Sequence, residues 1–152
     1  MPKKRIGEPI AVRRYGVDGQ PDRQIVLVIG KPIAPGAQDG DWCCPVLISG
    51  LGAEVFKWQE GVDALQALQL AQGFARQTLE ASGLPITWAA GGEPGDLGLY
   101  RPIDSPFGLW FQRLAERAFD LAVEVVGRVI VEVSQQHPKV REQVKRARAR
   151  RE

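Results

Sequence analysis

The first 58 residues carry four β-type segments, and none of the connections between them can hold a crossover helix. The segments are PIAVRRYGV, RQIVLVIGK, DWCCPVLIS and AEVFKW, joined by DGQPD, the longer KPIAPGAQDGD and GLG. Parallel neighbours need a crossover of a dozen or more residues, whereas antiparallel neighbours can be joined by a tight turn, so the spacing predicts an antiparallel meander. Ile25, Leu27 and Ile29 share one face of the second segment, with Val26 and Val28 on the other. The third alternates Trp42, Cys44, Val46 and Ile48 against Cys43, Pro45, Leu47 and Ser49. Pro45 has no N–H for a ladder, which predicts an edge position or a bulge for this strand.

GVDALQALQLAQGFARQTLEASG changes the period from two to 3.6. Ala64, Ala67, Leu68, Ala71, Ala75 and Leu79 form one stripe, flanked by Leu65 and Phe74, with Gln66, Gln69, Arg76, Gln77 and Glu80 outside it. Small residues at this spacing predict a helix over Gly61 to Ser82 lying close on the sheet, with Gly83 at its stop. LPITW then reads as a fifth strand, followed by the glycine-rich loop AAGGEPGDLG.

Ser105 and Pro106 carry the signature of a helix start. From Phe107 to about Ser134, apolar residues hold helical spacing: Phe107, Phe111, Leu114, Ala118, Leu121, Val125 and Val129. Phe119, Val123, Val126 and Ile130 widen this stripe to roughly half the circumference, more than one supporting face requires, and are a candidate interface. The β-branched run VEVVGRVIVEVS also permits a strand, but the unbroken helical spacing favours helix. Pro138 ends the helix, and KVREQVKRARARRE continues as a basic tail.

The fold expected is α+β: a mostly antiparallel four- to five-stranded meander sheet covered by one helix, then a long C-terminal helix and a basic tail. The corresponding segments are a basic arm over 1–7, a sheet-and-helix domain over 8–104, a long amphipathic helix over 105–136 and the tail over 137–152.

The residues DWCCP, GLG, GVDALQALQLA, TW and GGEPGD together resemble a family of small bacterial proteins catalogued as a domain of unknown function. The resemblance covers about Asp41 to Gly98, and more weakly the first two strands. It implies a soluble bacterial α+β domain and brings no catalytic residues.

Charge is unevenly placed. The net charge is +2, yet residues 6–138 hold ten basic and sixteen acidic residues, while 139–152 holds seven basic and two acidic. Lys145, Arg146, Arg148, Arg150 and Arg151 are candidate contacts to nucleic acid or to an acidic partner through phosphates or carboxylates. No aromatic residue in the tail offers a stacking platform.

The glycine-rich loop lacks the lysine and hydroxyl of a phosphate-binding loop, and Glu93 and Asp96 would repel a phosphate. Those two carboxylates, with Arg101, make a candidate binding loop; they could also serve acid–base chemistry or hold a metal, or simply cap backbone amides. No nucleophile elbow is present, and the one histidine, His137, lies at a helix end. Adjacent Cys43 and Cys44 cannot staple distant segments and suit a reducing compartment. The sequence therefore calls for no catalytic residue, no metal site and no cofactor.

No apolar run reaches the length of a spanning helix, and the start lacks a secretory signal, so the expectation is a cytoplasmic protein with no membrane role. The function expected is a non-catalytic protein-interaction module, an adaptor or an immunity-type inhibitor, self-associating as a homodimer through the long helix. The alternatives are a nucleic-acid-binding protein using the tail, and an enzyme or metal-binding protein using the Glu93/Asp96 loop.

Overall fold

The computed structural model describes residues 6–36, 40–89, 93–100 and 108–136. It divides into two compact units, Met1–Pro102 and Ile103–Glu152.

In the first unit, β1 (Pro9–Val17), β2 (Gln20–Gly30), β3 (Trp42–Ser49) and β4 (Val55–Gly61) form the antiparallel meander that their short connections dictate. Helix α1 (Ala64–Ala81) follows, and β5 (Ile86–Thr87) returns to the far side of β1, giving the order β4-β3-β2-β1-β5. Only Gly16↔Thr87 and Val17↔Ile86 pair there, and Asp18 N–H donates to the Pro85 carbonyl beside them. LPITW thus contributes just two residues of strand.

Pro45 departs from expectation, because β3 is interior to the sheet and not at its edge. The β2–β3 ladder runs only from Val46 to Ser49, so the proline stands one residue outside it. A missing N–H there removes no bond to β2.

One face of the sheet presents Tyr15, Val17, Ile25, Leu27, Ile29, Cys44, Val46 and Ile48, all buried. Helix α1 covers the β3–β4 half of this face, burying Ala67, Ala71, Ala75 and Leu79. Alanine is required by the close approach of the helix, since each extra methylene on a well-packed surface must displace a neighbour. The approach is close at Gly61 too, where any Cβ would collide with the Ala67 backbone.

The start of α1 falls three residues after Gly61, which remains the last residue of β4 and pairs with Trp42. Asp63 sets the boundary. Its Oδ1 accepts the Gln66 N–H at 2.7 Å, and Gln66 Oε1 accepts the Val62 N–H at 2.9 Å, a reciprocal cap of two backbone donors. At the other end Gly83 adopts φ +64 just past the Ser82 cap, the left-handed residue that stops a helix.

In the second unit α2 spans Leu109–Gln136 and is helical throughout Val123–Val133 despite the β-branched run. Helical spacing of the apolar residues persists through that run, and the exposed Glu124–Arg128 pair bridges one turn at 3.6 Å. The Gly108 carbonyl accepts from Phe111 and Gln112 N–H groups at the first turn. The expected cap at Ser105 and Pro106 lies outside the described residues.

Candidate functional site

The glycine-rich loop is built inward from its backbone. Gly95 N–H donates to the Ile86 carbonyl at 2.8 Å and Asp96 N–H to the Glu93 carbonyl at 3.1 Å, closing a turn against β5. Asp96 Oδ1 accepts the Gly98 N–H at 3.0 Å, so this carboxylate caps its own loop. Leu97 then drops into the core, and the next carbonyls are claimed by side chains from distant elements. Arg13 Nη1 donates to the carbonyls of Leu97 (3.1 Å) and Gly98 (2.7 Å), the Tyr15 hydroxyl donates to Leu97 (3.2 Å), and Arg76 Nη1 donates to the Leu99 carbonyl.

The Arg13 guanidinium also lies 4.5 Å from the centroid of the Trp88 ring, within cation–π range. Gly98 packs so tightly on that indole that a Cβ would overlap it. Burial pushes the Tyr15 phenol above its usual range, against a smaller opposing pull from Arg13. Arg76 Nε sits 2.8 Å from Glu80 Oε1 as an ion pair without hydrogen-bond alignment.

The candidate carboxylates Glu93 and Asp96 are exposed, and the structure brings no third acidic or histidine side chain to them among the described residues. Arg101 lies outside those residues. Arg13, Tyr15 and Arg76, which hold the loop, were not singled out by the sequence reading. One signal was available: Arg13 shares strand parity with Tyr15 and Val17, and a charge on a core-facing position needs a buried acceptor.

Two hollows flank this clasp. A cavity of about 330 Å³ has Ala11, Leu27 and Ile29 in its lining with Gln72, Leu99 and Tyr100. Arg13, which also lines it, is committed to the loop carbonyls. A shallower hollow of about 350 Å³ is lined by Arg14, Arg23 and Thr87, where Arg14 donates to Gln24 and Arg23 to Gln20 and the Gly50 carbonyl.

Cys43 is half-buried and Cys44 buried, both as free thiols. Burial pushes the Cys44 thiol up to about 11. The Cys43 thiol is also raised, by burial first and then by the nearby Glu60 and Asp41 carboxylates. Neither has the electropositive surroundings that generate a thiolate nucleophile.

The second unit presents a surface of a different kind. Phe119, Val123, Val126 and Ile130 fall at i, i+4, i+7 and i+11 on one strip of α2, and are 65%, 55%, 54% and 41% exposed. No helix among the described residues is long and apolar enough to cross a membrane. The tail residues Lys145, Arg146, Arg148, Arg150 and Arg151 lie outside the described residues.

Comparison with curated proteins and with solved structures returns no match. The family model that does match begins in β1 and ends on the clasped loop, taking in β2 to β5, most of β1 and α1 while leaving α2 outside. The chain belongs to the DUF6968 family, a domain of unknown function whose model matches residues 11–99.

Proposed function

We propose that this chain is a non-catalytic protein-interaction module that self-associates through α2. The observation that carries this reading is the exposed strip of Phe119, Val123, Val126 and Ile130 on a 28-residue helix. Isolated helices owe little of their stability to propensity and most of it to packing of an apolar face, so a face of this size calls for a partner. Covering the exposed half of one such side chain yields about 1 kcal/mol. Four from each of two copies then supply about 8 kcal/mol, within the roughly 4–15 kcal/mol that association costs. The remaining apolar residues of α2 provide the surplus. Two free thiols suit a reducing compartment such as a bacterial cytoplasm.

Sedimentation velocity on the full chain tests the reading. The expected result is a mass above that of one chain that rises with concentration, and a decrease toward one chain for Phe119→Glu. A wild-type chain that stays monomeric at every concentration overturns it.

A further inference from the structure

We propose that the cavity of about 330 Å³ beside the clasped loop binds a small carboxylic acid with an apolar body. The space equals about eleven molecules of liquid water, room for an acid of about ten non-hydrogen atoms, and falls at the lower end of small-molecule sites.

The cavity originates in the strand register. Two adjacent cross-strand pairs, Ala11↔Ile29 and Arg13↔Leu27, bring residues of β1 and β2 to it on the face that carries the core. Helix α1 packs mainly on β3 and β4, so this half of the face is left to Leu99, Tyr100 and Gln72 of α1. Ala11 has the shortest side chain of the core-facing positions in β1. A hollow therefore remains beside it, whereas Tyr15 and Val17 farther along the strand are buried.

Two polar groups set what fits. Gln72 follows Leu68 by four residues and precedes Ala75 by three, which places it on the sheet-facing stripe of α1. It is half-buried, and its amide makes no hydrogen bond among the described residues. A polar group held against apolar surface is costly until a partner meets it. Arg13 uses Nη1 alone on the loop carbonyls, so Nε and Nη2 keep donors for an anion. Among the described residues of the lining Arg13 is charged and none is acidic. A carboxylate complements this pair by accepting from both guanidinium and amide. Leu27, Ile29 and Leu99 offer apolar contact to the body of the acid, and Tyr100, 74% exposed, has ring area left to cover it.

Isothermal titration of the full wild-type chain with octanoate and with 1-octanol, repeated on Ala11→Trp and Gln72→Leu, tests the proposal. The expected result is saturable binding of one octanoate per chain, with octanol about tenfold weaker or more because it carries no charge. Ala11→Trp fills the hollow and is expected to weaken octanoate about tenfold or more. Gln72→Leu is expected to weaken octanoate but not octanol. The comparison of acid with alcohol needs only the wild-type chain, so it is decisive even where a variant fails to fold. Absence of saturable octanoate binding, equal affinity for acid and alcohol, or octanoate binding undiminished in either folded variant overturns the proposal.

Discussion

Arg13 Nη1 donates to the Gly98 carbonyl at 2.7 Å, tying β1 to a loop 85 positions later in the chain. The same nitrogen reaches the Leu97 carbonyl, and its guanidinium covers the Trp88 ring. One side chain thereby satisfies two backbone acceptors at the point where the chain leaves β5, and each is a charge-assisted bond.

Removing that side chain should leave the Gly98 carbonyl without its donor and the Leu97 carbonyl with the Tyr15 hydroxyl alone. Arg13→Ala is expected to destabilise the fold by about 1–3 kcal/mol, read as a lower urea midpoint with an unchanged slope. Arg13→Lys should recover only part of the loss, because an ammonium can donate to the carbonyls but cannot stack as a plane on the Trp88 ring.

Gly98 should tolerate substitution less well than Gly95. Both have positive φ, +57 and +96, but a Cβ at Gly98 overlaps the Trp88 ring whereas one at Gly95 meets open space. Gly95→Ala is expected to cost about 1–2 kcal/mol of backbone strain, and Gly98→Ala about 1–3 kcal/mol more from overlap. Thermal melts of the two variants side by side read the difference directly.

The buried Cys44 thiol makes stability fall in alkali. Its folded value of about 11 lies above the ordinary thiol value. Its contribution is complete below that ordinary value and is lost as pH rises toward the folded one, between roughly pH 8.5 and 11. Urea midpoints across that window should decline, and less steeply in Cys44→Ala. In thiol labelling of the native chain, half-buried Cys43 should react before Cys44.

Asp63→Ala should cost about 1 kcal/mol by removing the acceptor of the Gln66 N–H. The far-ultraviolet signal at low temperature should change little, since α1 is held by its alanine face on the sheet. The loss appears instead as a lower melting temperature.

The strands and α1 were legible because their information is local. PIAVRRYGV coincides with β1, the parity of Ile25, Leu27 and Ile29 matches the buried face of β2, and the alanine stripe is the face α1 buries. Reading Pro45 as an edge marker failed because the rule counts bonds on both sides of a strand, and the β2 ladder stops one residue short of it. The start of α1 was placed too early because Gly61 reads as a turn residue, while its close approach to Ala67 is visible only in three dimensions.

The candidate loop divides the same way. Composition by itself marks Glu93 to Gly98 as a turn with capping carboxylates, and Asp96 caps Gly98 within three residues of chain. What binds that turn is non-local: a charge-assisted bond between β1 and residue 98 depends on β5 pairing with β1, and no periodicity reports that pairing. Local spacing is likewise sufficient to determine that α2 is a helix with a broad apolar face, because backbone bonding and side-chain period act over four residues. Where the loop is anchored, which sheet edge receives β5 and which half of the core α1 covers were decided by tertiary packing alone, since only the folded chain brings those acceptors and apolar faces together.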